Sequence, residues 1–270
     1  MDLGLSDRAC VVTGASRGIG LATARMLCEE GASVLLVART EEQLLEAADE
    51  CAAAGEDAGG QAESLACDVS EPEAAERIVG EAAERFGQLD VLVNNAGTAR
   101  WRDLDEVPDE DWYEAWELNV MAPMRLMRAA APPMQARGWG RIVNVSSTAG
   151  KRPSANMSEY SVAKAAELSL SRLYADRFAS QGVLVNSICP GPVKSELWME
   201  EGGLLDQSKE LAGHDTREEA LDAAGSKRPI GRLAEVEEIA GAIVFLCSEH
   251  ASYVSGAAWS VDGGTVQVII

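Results

Sequence analysis

Short apolar runs rich in β-branched residues alternate with segments of helical periodicity along most of the chain, and this alternation restricts the fold more than any other feature. Ala9-Cys10-Val11-Val12 and residues 33–37, 63–67, 89–93, 141–145, 183–188 and 257–261 read as strands. Helical patterns lie between them: Leu21, Ala24, Leu27 and Cys28, then 41–54, 71–86 with Ile78 and Val79 inward, 109–135, 159–179 and 236–248. Pro123 falls inside the long pattern 109–135, and a proline there predicts a kink. Strands without polar alternation, separated by helices, imply an α/β fold: a doubly wound, seven-stranded parallel sheet with helices on both faces. No linker rich in Pro, Gly or Ser divides the chain, so residues 1–270 read as one domain. Residues 194–232 interrupt the alternation with polar, acidic sequence, two short helical patterns and Gly202-Gly203. A long excursion after a strand's C-terminal end predicts an active-site lid.

The first strand runs into Thr13-Gly14-Ala15-Ser16-Arg17-Gly18-Ile19-Gly20 and then into a helix. Strand, glycine turn and helix make a Rossmann-type dinucleotide site. The glycines let backbone approach a pyrophosphate, and the helix N-terminus offers free N–H groups. The second strand ends Val37-Ala38-Arg39-Thr40, without the carboxylate that would bond a ribose 2′-hydroxyl. Arg39 and Arg17 are cations suited to a 2′-phosphate, so the expected cofactor is NADP(H).

Charge and composition narrow the partners. The net charge of −21, from 44 acidic and 23 basic residues, disfavours nucleic acid and anionic membrane. No run of about 18 apolar residues predicts a transmembrane helix, and the first residues lack the pattern of a signal peptide. Cys10, Cys28, Cys51, Cys67, Cys189 and Cys247 form no Cys-x-x-Cys and read as small buried hydrophobes in a reducing compartment, which predicts a cytoplasmic protein. His214 and His250 have no ligand-like neighbours, so no metal is expected.

Ser147 stands thirteen residues before Tyr160, and Tyr160 and Lys164 lie one helical turn apart on one face. A phenol titrates at about 10 unperturbed, so proton transfer near neutrality needs a downward shift of about two to three units, which a nearby ammonium favours.

Together these motifs resemble the short-chain dehydrogenase/reductase family, and in particular its members like 3-oxoacyl-acyl-carrier-protein reductase, over Ala9 to Gly264. The resemblance implies a catalytic set of Asn119, Ser147, Tyr160 and Lys164. In it Tyr160 is the general acid/base, Ser147 bonds the substrate oxygen, Lys164 also binds the nicotinamide ribose, and Asn119 positions a relay water. It implies cofactor contacts from Gly14, Ser16, Arg17, Gly18, Ile19, Gly20, Arg39, Thr40, Asp68, Val69, Asn95, Ala96, Gly97, Tyr160, Lys164, Pro190, Gly191, Val193 and Ser195. Asp68 would meet the adenine. Ser195 stands where the family often has Thr, and Glu159 puts a charge where many members are neutral.

The implied activity is NADP(H)-dependent hydride transfer between nicotinamide and a ketone or secondary alcohol, a ketoreductase chemistry. A 3-oxoacyl-carrier-protein or acyl-thioester reductase is the alternative within that class. Its acidic carrier needs cations near the cleft: Arg100, Arg102, Lys151 and Arg152 qualify, and Glu196, Glu200 and Glu201 oppose them. A non-catalytic NADP(H)-sensing regulator is the alternative of another class. Ser147, Trp101 and Trp198 are the substrate-site candidates, with Leu197, Met199, Leu204 and Leu205 as further apolar lining. The resemblance implies a homotetramer, or a homodimer, meeting through the Tyr160 helix (Ala165, Leu168, Tyr174) and the apolar tail 265–270.

Overall fold

A computed structural model describes residues 2–267. In chain order the elements are β1 (Ala9–Thr13), α1 (Gly18–Glu29), β2 (Ser33–Ala38), α2 (Glu41–Gly55), β3 (Gln61–Ala66), α3 (Ala74–Phe86) and β4 (Val91–Asn94). Then come α4 (Asp109–Trp116), α5 (Ala122–Arg137), β5 (Gly140–Val145), α6 (Thr148–Lys151), α7 (Ser158–Phe178) and β6 (Val183–Pro190). The chain closes with α8 (Glu196–Met199), α9 (Leu204–Ala212), α10 (Arg217–Ser226), α11 (Val236–Cys247) and β7 (Ala258–Val261). The seven strands form one parallel sheet in the order β3-β2-β1-β4-β5-β6-β7.

Alternate strand residues feed two cores. Cys10, Val12, Val34, Leu36, Val91 and Val93 point to the face covered by α1, α2 and α11. Val11, Leu35, Val37, Leu92 and Ile142 point to the face covered by α3, α5 and α7. Burial on both sides explains why these strands carry no polar alternation. The strand order reverses between β1 and β4, which opens a crevice at their C-terminal ends. The glycine turn leaves β1 there, and Asn95-Ala96-Gly97 leaves β4 beside it.

Two sequence expectations change in detail. The pattern 109–135 is not one helix kinked at proline: α4 passes into a π turn over Glu117–Met121, and Pro123 sits in the first turn of α5, where a missing N–H costs nothing. Tyr174 does not face outward. It is half-buried, stacks on Phe178 at 5.9 Å, and its hydroxyl donates to the Met124 carbonyl at 3.4 Å. The exposed apolar residues of α7 are Val162 and Leu173, and the adjoining α4 exposes Tyr113 and Trp116. Of the apolar tail, residues 268–270 lie outside the described residues.

The excursion at 194–232 contains three helices, α8 to α10, rather than two. Its ends are pinned together: Val193 pairs with Ala234, and Lys194 N–H donates to the Ala234 carbonyl at 2.8 Å. Among the described residues no helix is long and apolar enough to cross a membrane.

Candidate active site

The glycine turn is locked to the β4 loop through Thr13 and Asn95. The Thr13 hydroxyl accepts from the Asn95 and Ala96 N–H groups at 3.0 and 3.1 Å, and Asn95 Nδ2 donates to the Thr13 and Gly14 carbonyls at 2.9 and 3.1 Å. The side-chain amide of Asn95 is thus engaged with protein backbone. A Cβ at Gly20 would stand 2.2 Å from the Gly14 carbonyl oxygen, so only glycine permits this turn to close. Ile19 packs partly against the core under α1, α2 and α11, and Val69 is buried in the other core, so both side chains turn inward.

At the end of β2, Arg39 is exposed, and Thr40 is the N-cap residue of α2 without a side-chain cap bond. Asp68 accepts from the Ser70 N–H and hydroxyl at 2.9 and 2.7 Å. Burial works to raise its pKa, but these bonds and the charge of Arg39 prevail and hold the carboxyl below its usual value. Arg17 is not a free cation: its guanidinium pairs with Glu200 at 2.6 Å. A Cβ placed on Gly18 would meet Glu196 Oε2 at 3.0 Å and the Ser195 Cβ at 3.5 Å. The helix that follows Ser195 therefore lays two carboxylates over the turn. Pro190 ends β6, and Gly191 N–H donates to the Val261 carbonyl at 3.0 Å.

The four residues of the catalytic expectation come from three elements: the cap of α6, the helix α7, which carries both Tyr160 and Lys164, and the π turn. Ser147 caps the N-terminus of α6, its Oγ accepting from Ala149 N–H at 3.0 Å. A Cβ on Gly150 would meet the Lys164 carbonyl carbon and oxygen at 2.9 Å, and this close approach seats α6 on α7. Lys164 is buried, and its Nζ lies 5.8 Å from the Tyr160 ring centroid. Lys164 Nζ donates to the Val145 carbonyl at 2.8 Å and to Glu167 Oε2 at 3.0 Å. The π turn carries Asn119, whose Nδ2 donates to the Ala115 carbonyl at 2.9 Å. Asn119 Oδ1 is buried without a partner. Gly97 gives a common ruler: a Cβ there would lie 3.3 Å from Asn119 Oδ1 and 3.9 Å from Lys164 Nζ. Burial raises the Tyr160 pKa and prevails over the downward pull of the Lys164 charge and a hydrogen bond with Ser147, so the phenol stands above its ordinary value here rather than below it as the sequence reading expects.

Trp101 and Trp198 meet edge to face, 6.5 Å between centroids. Trp101 N–H donates to Gln207 Oε1 at 2.9 Å, and the next N–H, of Arg102, donates to the Asn156 carbonyl at 2.9 Å. Leu204 and Leu205 are buried, whereas Leu197 and Met199 are half-buried. Sequence reasoning missed Glu167 as a neighbour of the site, and it placed Glu196 and Glu200 near the cleft without seeing that they reach Gly18 and Arg17 of the glycine turn. Only the burial of a carboxylate on the inner stripe of α7 signals Glu167, and that stripe is visible once the helix is in place.

The family described as enoyl-(acyl carrier protein) reductase matches residues 14–266. The chain is 40% identical over 264 residues to the cis-4-hydroxycyclohexanecarboxylate dehydrogenase of Sinomonas cyclohexanicum, covering 97% of this chain and 98% of the other. It is 33% identical to the 3-oxoacyl-(acyl-carrier-protein) reductase FabG of Vibrio cholerae, covering 98% of this chain and 100% of that one. The chain belongs to the short-chain dehydrogenase/reductase family. Among solved structures, the L-sorbose reductase of Gluconobacter frateurii, complexed with NADPH and L-sorbose, superposes with a TM-score of 0.90 at 38% identity and full coverage of both chains.

Proposed function

We propose that Tyr160 is the general acid/base of this oxidoreductase, assisted by Ser147, Lys164 and Asn119. The protein is an NADP(H)-dependent enzyme that interconverts a ketone and a secondary alcohol. When bound, the nicotinamide supplies or accepts the hydride. The residues present fit that cofactor: the first N–H groups of α1 have no partner within the helix and suit a phosphate, which would take the place Glu196 occupies over Gly18. Arg39 stands where a 2′-phosphate needs a cation. The partnerless Asn119 Oδ1, beside Gly97 and Lys164, suits a water.

In reduction Tyr160 donates its phenolic proton to the nascent alkoxide, and in oxidation it receives the proton back. Ser147 holds the same oxygen by hydrogen bond and fixes the carbonyl in place. Lys164 stabilises the phenolate by charge. Asn119 anchors the water through which the proton reaches solvent. The observation carrying this reading is the convergence of Asn119 Oδ1 and Lys164 Nζ on Gly97, with Lys164 beneath the Tyr160 ring.

Residues 194–232 serve as the substrate lid, with Trp198 and Trp101 over the pocket. The substrate is a small molecule. Arg100 lies near Asp111 and Glu114 at 3.7 and 3.8 Å, Arg102 pairs with Asp111 at 2.5 Å, and Lys151 donates to Ala258 O and Ser260 Oγ at 2.5 and 3.0 Å. Three of the four cations suited to an acidic carrier are thus engaged within the chain. The acyl-thioester reading keeps the support of the match to the enoyl-carrier-protein family description and to the Vibrio enzyme. We further infer a cytoplasmic homotetramer. The six buried free cysteines fit a reducing compartment, and the exposed apolar residues of α4 and α7 fit an interface.

The test is a panel of small ketones, secondary alcohols and acyl thioesters with NADPH and NADP+, followed at the nicotinamide absorbance. Turnover of small ketones that Tyr160→Phe lowers by about 10²–10⁴-fold is expected. Turnover of carrier-linked thioesters alone would favour the second reading.

A further inference from the structure

Glu167 has no part in the chemistry above. It lies one turn beyond Lys164 on the inner stripe of α7, in register with the buried Ala163, Ser171, Ala175 and Phe178. An apolar side chain is the ordinary occupant of such a stripe. Yet the Glu167 side chain is 2% exposed, that of Lys164 is 3% exposed, and Oε2 stands 3.0 Å from Nζ. A carboxylate this deep is costly unless paired, and here it is paired with the one cation the reaction uses.

We propose that Glu167 is a positioning residue for hydride transfer: it fixes the Lys164 ammonium and sets the pH at which Tyr160 releases its proton. The proposal rests on the assignment of Tyr160 and Lys164 made above. Of the three N–H bonds of Lys164, one goes to the Val145 carbonyl and one to Glu167, so the third is held in a fixed direction. The charges oppose each other at the phenol. The Lys164 cation favours the phenolate, and the Glu167 carboxylate opposes it, which adds to the upward push of burial. The other facing groups are few. Cys189 on β6 is buried and its thiol is pushed up to about 11, so it stays neutral in the working range. Lys151 of α6 and Asp262 beyond β7 act on Cys189 with opposite signs. Ser146 donates to the Lys164 carbonyl at 3.1 Å and brings no charge. Burial pushes the Glu167 carboxyl up as well, and the adjacent Lys164 pulls it back, so the 3.0 Å ion pair is what makes Glu167 the negative charge that offsets Lys164.

The sign follows from coupled titration. Removing the carboxylate's charge makes loss of a proton from the Tyr160–Lys164 pair easier, whichever of the two gives it up. The measurement is the pH profile of kcat/KM for alcohol oxidation with NADP+, in the parent, Glu167→Gln and Glu167→Asp. Glu167→Gln keeps an acceptor for Lys164 and should move the limiting pKa down by about one unit. Glu167→Asp keeps the charge, so its profile should stay at the parent's position, while the looser hold on Lys164 lowers kcat more than it changes KM. In the cofactor-free proteins, phenolate absorbance corrected by each Tyr160→Phe counterpart should rise at lower pH for Glu167→Gln than for the parent. A Glu167→Gln profile at the parent's pKa, or a Glu167→Asp profile displaced as far as the Gln one, would overturn the proposal. Tyr160→Phe in the same assay keeps the two readings apart. Full activity in that variant defeats the site assignment. Its inactivity, together with an unmoved Glu167→Gln profile, defeats only the role of Glu167.

Discussion

Arg17 and Arg39 show how two cations of one type come to differ through their neighbours. Arg39 is exposed at the end of β2 and favours ionisation of Asp68. Arg17 is tied to Glu200 at 2.6 Å. In the proposed site a 2′-phosphate would meet Arg39 directly but would compete with a carboxylate for Arg17. Arg39→Ala should thus weaken NADPH binding by about 1–3 kcal/mol, the worth of a charge-assisted hydrogen bond, and leave NADH nearly unchanged. Calorimetric titration with both nucleotides reads this, and equal losses would remove Arg39 from the phosphate site. Releasing Arg17 by Glu200→Gln should tighten NADPH several-fold in the same titration, because the pair is exposed and worth at most about 1 kcal/mol. Unchanged affinity would show that Arg17 takes no part. The cations were legible in the sequence from the glycine turn and the acid-free end of β2. Their partners were not, because Glu200 is 183 residues from Arg17 and only the folded excursion brings it back.

The strands and most helices could be read from periodicity because each strand is buried on both faces and each helix presents one stripe to a core. The π turn at Glu117–Met121 could not. One i→i+5 turn barely changes the apolar spacing, and the proline signal at Pro123 pointed to the right region but the wrong device. That turn carries Asn119 and leaves its Oδ1 partnerless. Asn119→Ala should lower turnover about tenfold or more, within the range of a lost proton-transfer step, with NADPH affinity kept. A normal rate would remove the relay. The excursion was legible as a break in the alternation, yet its contacts were not: the Trp101–Trp198 edge contact and the Gln207 bond to Trp101 join segments about a hundred residues apart. Trp198→Ala should raise KM for a bulky apolar ketone severalfold, in line with the loss of about 1–3 kcal/mol of pocket contact, and spare NADPH affinity. Unaltered kinetics across small and large ketones would place Trp198 outside the pocket.

The whole molecule brings its chemistry to one edge: strand order reverses between β1 and β4, and every proposed catalytic and cofactor residue lies on the C-terminal side of the sheet or on α7 beside it. On α4 and α7 Tyr113, Trp116, Val162 and Leu173 are exposed, and in the proposed homotetramer other copies of the chain would cover them. Light scattering at micromolar concentration should give a tetramer, and a monomer alone would contradict this. The central claim is that Tyr160 moves the proton that accompanies hydride transfer, and single-turnover oxidation of bound NADPH by a reactive ketone tests it most directly. Tyr160→Phe should bind NADPH as the parent does, by quenching of protein fluorescence, and oxidise it at least about a hundredfold more slowly. Parent-like single-turnover oxidation in Tyr160→Phe, with NADPH fully bound, would contradict the account.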